Sequence, residues 1–336
     1  ITTLLLLGSV AMFFTETVLV KMLPFDNKNE FQVVIDMPEG TTLERTNVVT
    51  QEIAQYLSGR PEVVNYQTYV GTSAPITFNG LVRHYDLRGA SNTADIQVNI
   101  KDKGDRKLQS HDIAKLLRPD IQKIASKYNA NVKLVEVPPG PPVLSTIVAE
   151  IYGPDYEEQI RVADSVQSIL HNTTDVVDID WMVEADQTEF IYDIDREKAM
   201  RYGIAPQQIV HTLSMALGER AVTHLYDENA TERVGILLAL DEAEKASPEA
   251  IAQIEIASQQ GNMVAVGDLV TINENTVPKS IYRKNQKRVV YVLADMAGTL
   301  ESPVYAILGM EEKLKEIPLP EGYTMNELYA SQPEHE

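Results

Sequence analysis

The chain has 336 residues, enough for two or three domains, and its 44% apolar and 23% charged composition is that of a folded protein rather than a disordered or fibrous one. Its 29 Lys and Arg against 49 Asp and Glu leave a net charge of −20, a field that repels phosphate backbones and excludes nucleic acid as a natural partner. The absence of cysteine excludes disulfides, thiolate nucleophiles, cysteine-based zinc sites and cysteine-ligated iron–sulfur clusters, and suits a cytosolic or an oxidising compartment equally.

The first residues are strongly apolar. Leu4 to Leu7, Val10, Met12, Phe13, Phe14 and Val18 to Val20 precede Lys21, with Glu16 the one charge among them. This run predicts the end of a transmembrane helix with its exit segment over residues 1–25; Glu16 keeps a buried helix or strand open as the alternative. A secretory signal is not indicated, because no basic segment precedes the apolar run and no small-residue cleavage site follows it.

From residue 31 the pattern changes to short apolar runs alternating with helical periods. Phe31–Met37 reads as a strand; Thr41 with Glu44 reads as a capping box opening a helix on Val49, Ile53 and Leu57, stopped at Gly59; Val63–Val70 is the next strand. A second strand–helix–strand unit runs from Asp95–Ile100 through a helix bearing Ile113, Leu116 and Leu117, which Pro119 is expected to kink or end, to Val132–Val137. The segment Val137–Val143 carries four prolines and is expected to be a stiff, extended boundary.

A third unit comprises strand Ile147–Tyr152, a helix opened by Asp155 and Glu158 with Ile160, Ala163, Val166 and Leu170 on one side, and strand Val176–Val183. The fourth comes only near the end: Val289–Leu293, a helix begun by Ser302 and Pro303, and Tyr323–Leu328. Two such units make one split βαβ domain, so the chain is expected to be α+β with two ferredoxin-like domains. The second of these is interrupted by an insertion over 186–288, with strands Phe190–Ile194, Val234–Leu240 and Val264–Val270, helices near 196–202 and from Pro206, and a projecting loop or hairpin over Gly218–Thr231.

Enzyme signatures are missing: the sequence has no phosphate-cradling glycine loop, no His-Glu-x-x-His, no Gly-x-Ser-x-Gly and no dinucleotide fingerprint. His84 with Asp86, His111 with Asp112, and His224 with Asp227 read as ordinary polar-surface pairs, and Met37, Met182 and Met310 as core fillers rather than soft-metal ligands. Arg83 and Asn92 share one loop, the pair an acylphosphatase-like site needs, without further support. Lys279, Arg283, Lys284, Lys287 and Arg288 form a basic cluster that reads as a solvated strand edge. The long connection from Gly71 to Asn92 exceeds what a turn requires; Phe78 and Tyr85 in it either contact an apolar ligand or tuck into the core below.

The order of these elements resembles the second large periplasmic loop of resistance-nodulation-division (RND) efflux transporters of the AcrB/AcrD/AcrF type. The resemblance rests on Met22–Asp26, on the string Phe31-Gln-Val-Val-Ile-Asp-Met-Pro-Glu-Gly-Thr-Thr-Leu-Glu-Arg-Thr46, on Asp193–Ile204 and on the Val-Pro-Pro linker between them, and it spans nearly the whole chain. It implies a first porter subdomain over 26–143, a second over 144–185 and 289–336, and a docking subdomain over 186–288. It also implies a homotrimer in the inner membrane of a Gram-negative cell, with this segment in the periplasm, working with a periplasmic adaptor (membrane fusion) protein and an outer-membrane channel. The implied activity is proton-driven antiport of amphipathic organic compounds, with no enzymatic step, no cofactor and no resident metal; the proton-relay residues belong to membrane helices outside the chain. By position, Gln67, Tyr69, Thr72, Ile76, Phe78 and Tyr85, with Ile147 and Ala149 across the cleft, are the candidate substrate-binding residues. The heavy-metal branch is echoed in Asp195–Ala199 and Arg201–Gly203, but it has a methionine where this chain has Val143, so copper or silver export is the alternative; a non-catalytic periplasmic scaffold and an acylphosphatase-like enzyme are the competing classes.

Overall fold

The structure, a computed structural model, describes residues 2–14, 26–75, 78–83, 85–137, 144–218, 221–241, 244–299 and 301–329. Helix α1 (Thr2–Phe14), 13 residues, carries no charge and is apolar apart from Thr2, Thr3 and Ser9. No helix among the described residues is long and apolar enough to cross a membrane, and the rest of the expected exit segment, 15–25, lies outside them.

The first lobe follows from its sequence periods. β1 (Glu30–Asp36) buries Phe31 to Ile35 without a break, as a central strand does, and its neighbours supply alternating apolar positions. α2 (Leu43–Ser58) starts at Thr42, whose side chain accepts from Arg45 N–H; Thr41, the expected cap, instead donates its hydroxyl to Pro38 O in the turn that Gly40 makes at φ +79°. β2 (Val63–Val70) leads into the connection holding α3 (Phe78–Arg83) and a 3₁₀ turn at Tyr85–Leu87, then β3 (Thr93–Ile100), α4 (Ser110–Ser126) and β4 (Asn131–Val135). α4 continues through Pro119 instead of ending there; Pro119 stands on the exposed side of the helix, where water can satisfy the carbonyl its missing N–H leaves free. Leu116 is exposed too, and the buried face is Ile113, Ala114, Leu117 and Ile121. The sheet order is β2-β3-β1-β4, antiparallel throughout, with α2 and α4 packed on one face over Val33, Ile35, Ile96 and Val98.

The second lobe repeats this plan with β5 (Ile147–Tyr152), α5 (Tyr156–His171) and β6 (Val176–Trp181). Asp155 caps α5 by accepting from Glu158 N–H at 3.0 Å. The inserted unit follows: β7 (Thr188–Ile194), α6 (Arg196–Arg201), α7 (Pro206–Leu217), β8 (Ala221–Leu225), β9 (Val234–Leu237), α8 (Pro248–Ala252), β10 (Glu255–Ala257), β11 (Met263–Ala265) and β12 (Val270–Thr276). The chain then returns through β13 (Arg283–Lys284), β14 (Lys287–Met296), α9 (Pro303–Lys315) and β15 (Thr324–Tyr329). β14 pairs β5 and β6, and β15 pairs β5, all antiparallel, so the strands run β15-β5-β14-β6: fourth, first, third, second, the same permutation as the first lobe. Val162, Val166, Leu170, Ile307, Met310 and Leu314 cover the face formed by Ile147, Ala149, Ile151, Val290 and Val292.

The chain divides into two compact units, 186–278 being one and the two lobes together the other. The inserted unit ends at Pro278 rather than 288, because 283–288 form the tight β13–β14 hairpin that extends the second lobe's own strand. Within it β7 pairs β12, β10 pairs β11, and Ile204, Ile209, Val266 and Leu269 make a small core of their own. The expected projecting segment is the hairpin β8–β9, exposed at every position, and the strand expected at Val264–Val270 is two strands, β11 and β12, separated by a 3₁₀ turn over Val266–Asp268.

Candidate functional site: the seam between the two lobes

Each sheet carries helices on one face, and the period of two sends the other half of its residues to the opposite face. In the first lobe that second face is unusually polar: Gln32, Asp95 and Lys133 are buried there, with Asp36 beside Lys133 and with Gln67 and Tyr69 in register with Gln97 and Asp95. Burying charges is unfavourable unless they are paired, and Asp36, Asp95 and Lys133 are, while the Gln32 and Gln97 Oε1 atoms lack a hydrogen-bond partner among the described residues. Arg88, from the 71–92 connection, pairs with both Asp36 and Asp95 and donates to Ile35 O at 2.7 Å, and Ala74 N–H donates to Asp95 at 2.8 Å. The connection is thereby tied down onto the first sheet.

The same connection reaches the second lobe. Arg83 donates to both carboxylate oxygens of Asp295 on β14, at 2.9 and 3.4 Å, and Asp295 also accepts from Ser145 Oγ at 2.8 Å, Thr146 N–H at 2.9 Å and Thr146 Oγ1 at 2.7 Å. Although burial opposes it, Arg83 and these donors hold the Asp295 carboxyl well below the usual range. Lys133 bridges Asp36, at 2.8 Å, and Asp180 of β6; burial opposes ionisation of Asp36, yet Lys133 and Arg88 bring it down to about 2. Arg118 of α4 pairs with Asp178, which also accepts Leu134 N–H at 3.1 Å; here burial dominates and pushes Asp178 up to about 6. At the next turn of α4, Lys115 pairs with Glu301 and donates to Gly298 O at 2.6 Å, and His111 stands 2.6 Å from Glu136 and 3.0 Å from Glu301.

These contacts have one polarity. In every side-chain ion pair that crosses from lobe to lobe among the described residues, the cation (Arg83, His111, Lys115, Arg118 or Lys133) belongs to the first lobe and the acid (Asp178, Asp180, Asp295 or Glu301) to the second. The seam is a contact between two rigid sheets, spanned by a connection carrying one arginine for each side. Such an arrangement can hold two lobes in one position and release them together when its pairs are exchanged or discharged.

The sequence-derived candidates fall unevenly around this seam. Gln67 is exposed, Tyr69 half-buried, and the Tyr69 hydroxyl donates to Gln67 Oε1 at 2.7 Å on the first lobe's polar face. Thr72 is exposed at the start of the connection. Tyr85 is half-buried in the 3₁₀ turn: burial raises its phenol above the ordinary value, with Lys133, Arg83, Asp180 and Asp295 as the charges around it. Ile76 and the side chain of Phe78 lie outside the described residues. Ile147 and Ala149, each 5% exposed, alternate toward the helices and belong to the core; the positions of β5 that face the other way are Val148 and Glu150. Arg83 and Asn92 do not converge, since Asn92 donates to Met37 O at 3.0 Å while Arg83 is taken by Asp295.

Sequence reading passed over Asp36, Lys133, Asp178, Asp180 and Asp295, yet each carries a signal: a charge at a regular position of an otherwise apolar strand, as in Val-Val-Asp-Ile-Asp-Trp181 and Val-Val-Tyr-Val-Leu-Ala-Asp295. Chain order sets His111 beside Asp112, but Asp112 accepts from Gln109 N–H at the helix start.

Comparison with known proteins places these features in a family. An X-ray crystal structure of a heavy metal efflux pump superposes with a TM-score of 0.73 at 16% identity, over 97% of this chain and 33% of that one. An uncharacterized transporter of Haemophilus influenzae is 24% identical over 241 residues, 70% of this chain and 23% of its own length. The cobalt-zinc-cadmium resistance protein CzcA of Cupriavidus metallidurans is 23% identical over 161 residues, 46% of this chain and 15% of its own length, so the chain spans less than a quarter of these curated relatives. The profile of the AcrB/AcrD/AcrF family matches residues 1–335, and the chain belongs to that family.

Proposed function

We propose that this chain is the substrate-binding and gating part of a proton-driven RND efflux pump, in which the two lobes are porter subdomains and the inserted unit is a docking subdomain. The observation that carries this reading is the seam: two sheets of one permutation meet through paired charges and are spanned by the 71–92 connection, in a chain of the AcrB/AcrD/AcrF family. The reading includes a homotrimer in the inner membrane of a Gram-negative cell, with this part in the periplasm, an adaptor protein and an outer-membrane channel. Chemistry on the substrate is not part of it; the lobes bind, close and release.

The substrates are amphipathic organic compounds, which the mixed face around Tyr69 and Gln67 suits by offering an aromatic ring beside amide and hydroxyl groups. A second reading, export of metal cations, is favoured by the names of relatives such as CzcA and the nickel and cobalt resistance protein CnrA. Susceptibility of a pump-deficient host expressing the complete protein separates the two. Resistance to dyes, detergents or antibiotics that narrows on Tyr69→Ala supports the first; resistance confined to metal salts establishes the second, and no resistance of either kind overturns the efflux assignment.

A further inference from the structure

We propose that His111 is a proton-operated latch between the lobes: as an imidazolium it ties the first turn of α4 to Glu301 of the second lobe, and on losing its proton it lets that corner of the seam open. The inference rests on the efflux reading only in linking opening to substrate entry.

The argument is geometric. His111 Nδ1 lies 2.6 Å from Glu136 Oε2 and Nε2 lies 3.0 Å from Glu301 Oε1. Both partners are carboxylates, which only accept, so both contacts are hydrogen bonds when both ring nitrogens carry hydrogen, the protonated state. A neutral ring must turn one lone pair toward a carboxylate, and that contact becomes repulsive. Glu136 belongs to the first lobe and is 5% exposed, with its Oε1 lacking a hydrogen-bond partner among the described residues, so it has no ready alternative to His111. Glu301 lies across the seam just ahead of α9, held at φ +47°, a left-handed conformation unfavourable for glutamate that the surrounding contacts must maintain.

Among the described residues, the charged groups that face His111 come from three elements. From its own helix come Lys115, which also pairs with Glu301, and Asp112, occupied by Gln109 N–H; from the end of β4 comes Glu136; from the segment before α9 comes Glu301. Burial opposes the charge on His111, and so does the positive field at the start of a helix, yet the two carboxylates raise its affinity for protons above the ordinary histidine value. The sign follows. A group whose pKa rises on making a contact strengthens that contact at low pH and withdraws the support as pH climbs through the raised value. Lys115 and Gly298 N–H still reach Glu301, but the tie from His111 is gone. Two guanidinium Nε groups on neighbouring pairs, Arg83 and Arg118, are buried without a hydrogen-bond partner among the described residues, so admission of water into the opened seam offsets part of the cost of parting the lobes.

The test uses the complete protein with one spin label on each lobe, at Leu116→Cys on α4 and Leu308→Cys on α9, both exposed positions in a stretch with no cysteine of its own. Distances are measured by pulsed electron resonance between pH 5 and pH 8. The expected result is a single short distance at acid pH and a several-fold rise in a population longer by about 2 Å or more as pH increases, with the midpoint above 6.5. His111→Gln, never charged, should show the long population already at pH 5; His111→Lys, charged throughout, should keep the short one at pH 8. A residue with a merely structural role would loosen the seam in both variants at every pH. A distance independent of pH in the wild-type protein overturns the latch, as does a pH profile unchanged in His111→Gln. Thermal unfolding of each variant confirms that folded protein is compared, and drug susceptibility, which tests the efflux reading, is scored separately.

Discussion

The two lobes share one strand permutation and differ in what joins their second and third strands. In the first lobe that connection is 71–92, folded back and tied by Arg88 to Asp36 and Asp95. In the second lobe the same connection holds the whole 186–278 unit, with a core of its own. The permutation itself requires only that strand two return antiparallel to strand three, so this is the place where length is tolerated, and the two lobes use the tolerance for different ends. One connection became part of the seam; the other became a second compact unit.

The lobes also differ in the charge they bring to their contact, cationic from the first and acidic from the second. The largest expected effect comes from breaking that asymmetry at its most buried pair. Asp295→Leu leaves Arg83 buried without its counter-ion and should cost about 3–5 kcal/mol of stability in denaturant titration, whereas the double variant with Arg83→Leu should recover part of the loss, because the unpaired buried cation is gone while Thr146 N–H and Oγ1 still lack their acceptor. No recovery at all on adding Arg83→Leu would mean that the stranded cation costs nothing and that the pair does not couple the lobes.

A smaller effect sharpens the first lobe's role. Asp36 titrates at about 2 instead of 3.8, so its ion pairs with Lys133 and Arg88 contribute stability that is fully present above 3.8 and is lost as pH falls through about 2. Asp36→Asn should therefore be less stable than wild type by about 2 kcal/mol at pH 7, with the gap narrowing on acidification, as melting temperatures across pH 2–7 would show. The smallest effect tests the hinge of the 71–92 connection. Gly71 has φ +72°, and a Cβ there would meet Leu43 Cδ1 at 2.5 Å; Leu43 is exposed and can yield, so Gly71→Ala should cost about 1 kcal/mol, mainly from backbone strain. Hydrogen exchange should localise that change to the start of the connection and leave the second lobe untouched.

How much of this was readable beforehand depends on the range of the interaction. Periodicity located α2, α4, α5 and α9 and the eight strands of the two lobes, because amphipathic faces and caps such as Asp155 with Glu158 are local properties. It erred where a local rule met its surroundings: α4 runs through Pro119 because the carbonyl left without its N–H faces solvent. Alternation also reveals two faces of β5 without saying which one the helices cover; Ile147 and Ala149, candidates by position in the resemblance, lie on the covered face.

The chain order of strands, helices and glycine turns, and the room for an insertion, were determined by the sequence alone. Only the tertiary structure decided which charges meet. Arg83 and Asp295 are 212 residues apart and His111 and Glu301 are 190 apart, so no spacing rule connects them, and a lone charge in a strand reads as solvated until a second sheet is laid against it. Short-range order follows from backbone and side-chain preferences within a few residues, whereas the seam exists because burial makes an unpaired charge so costly that the two faces must match.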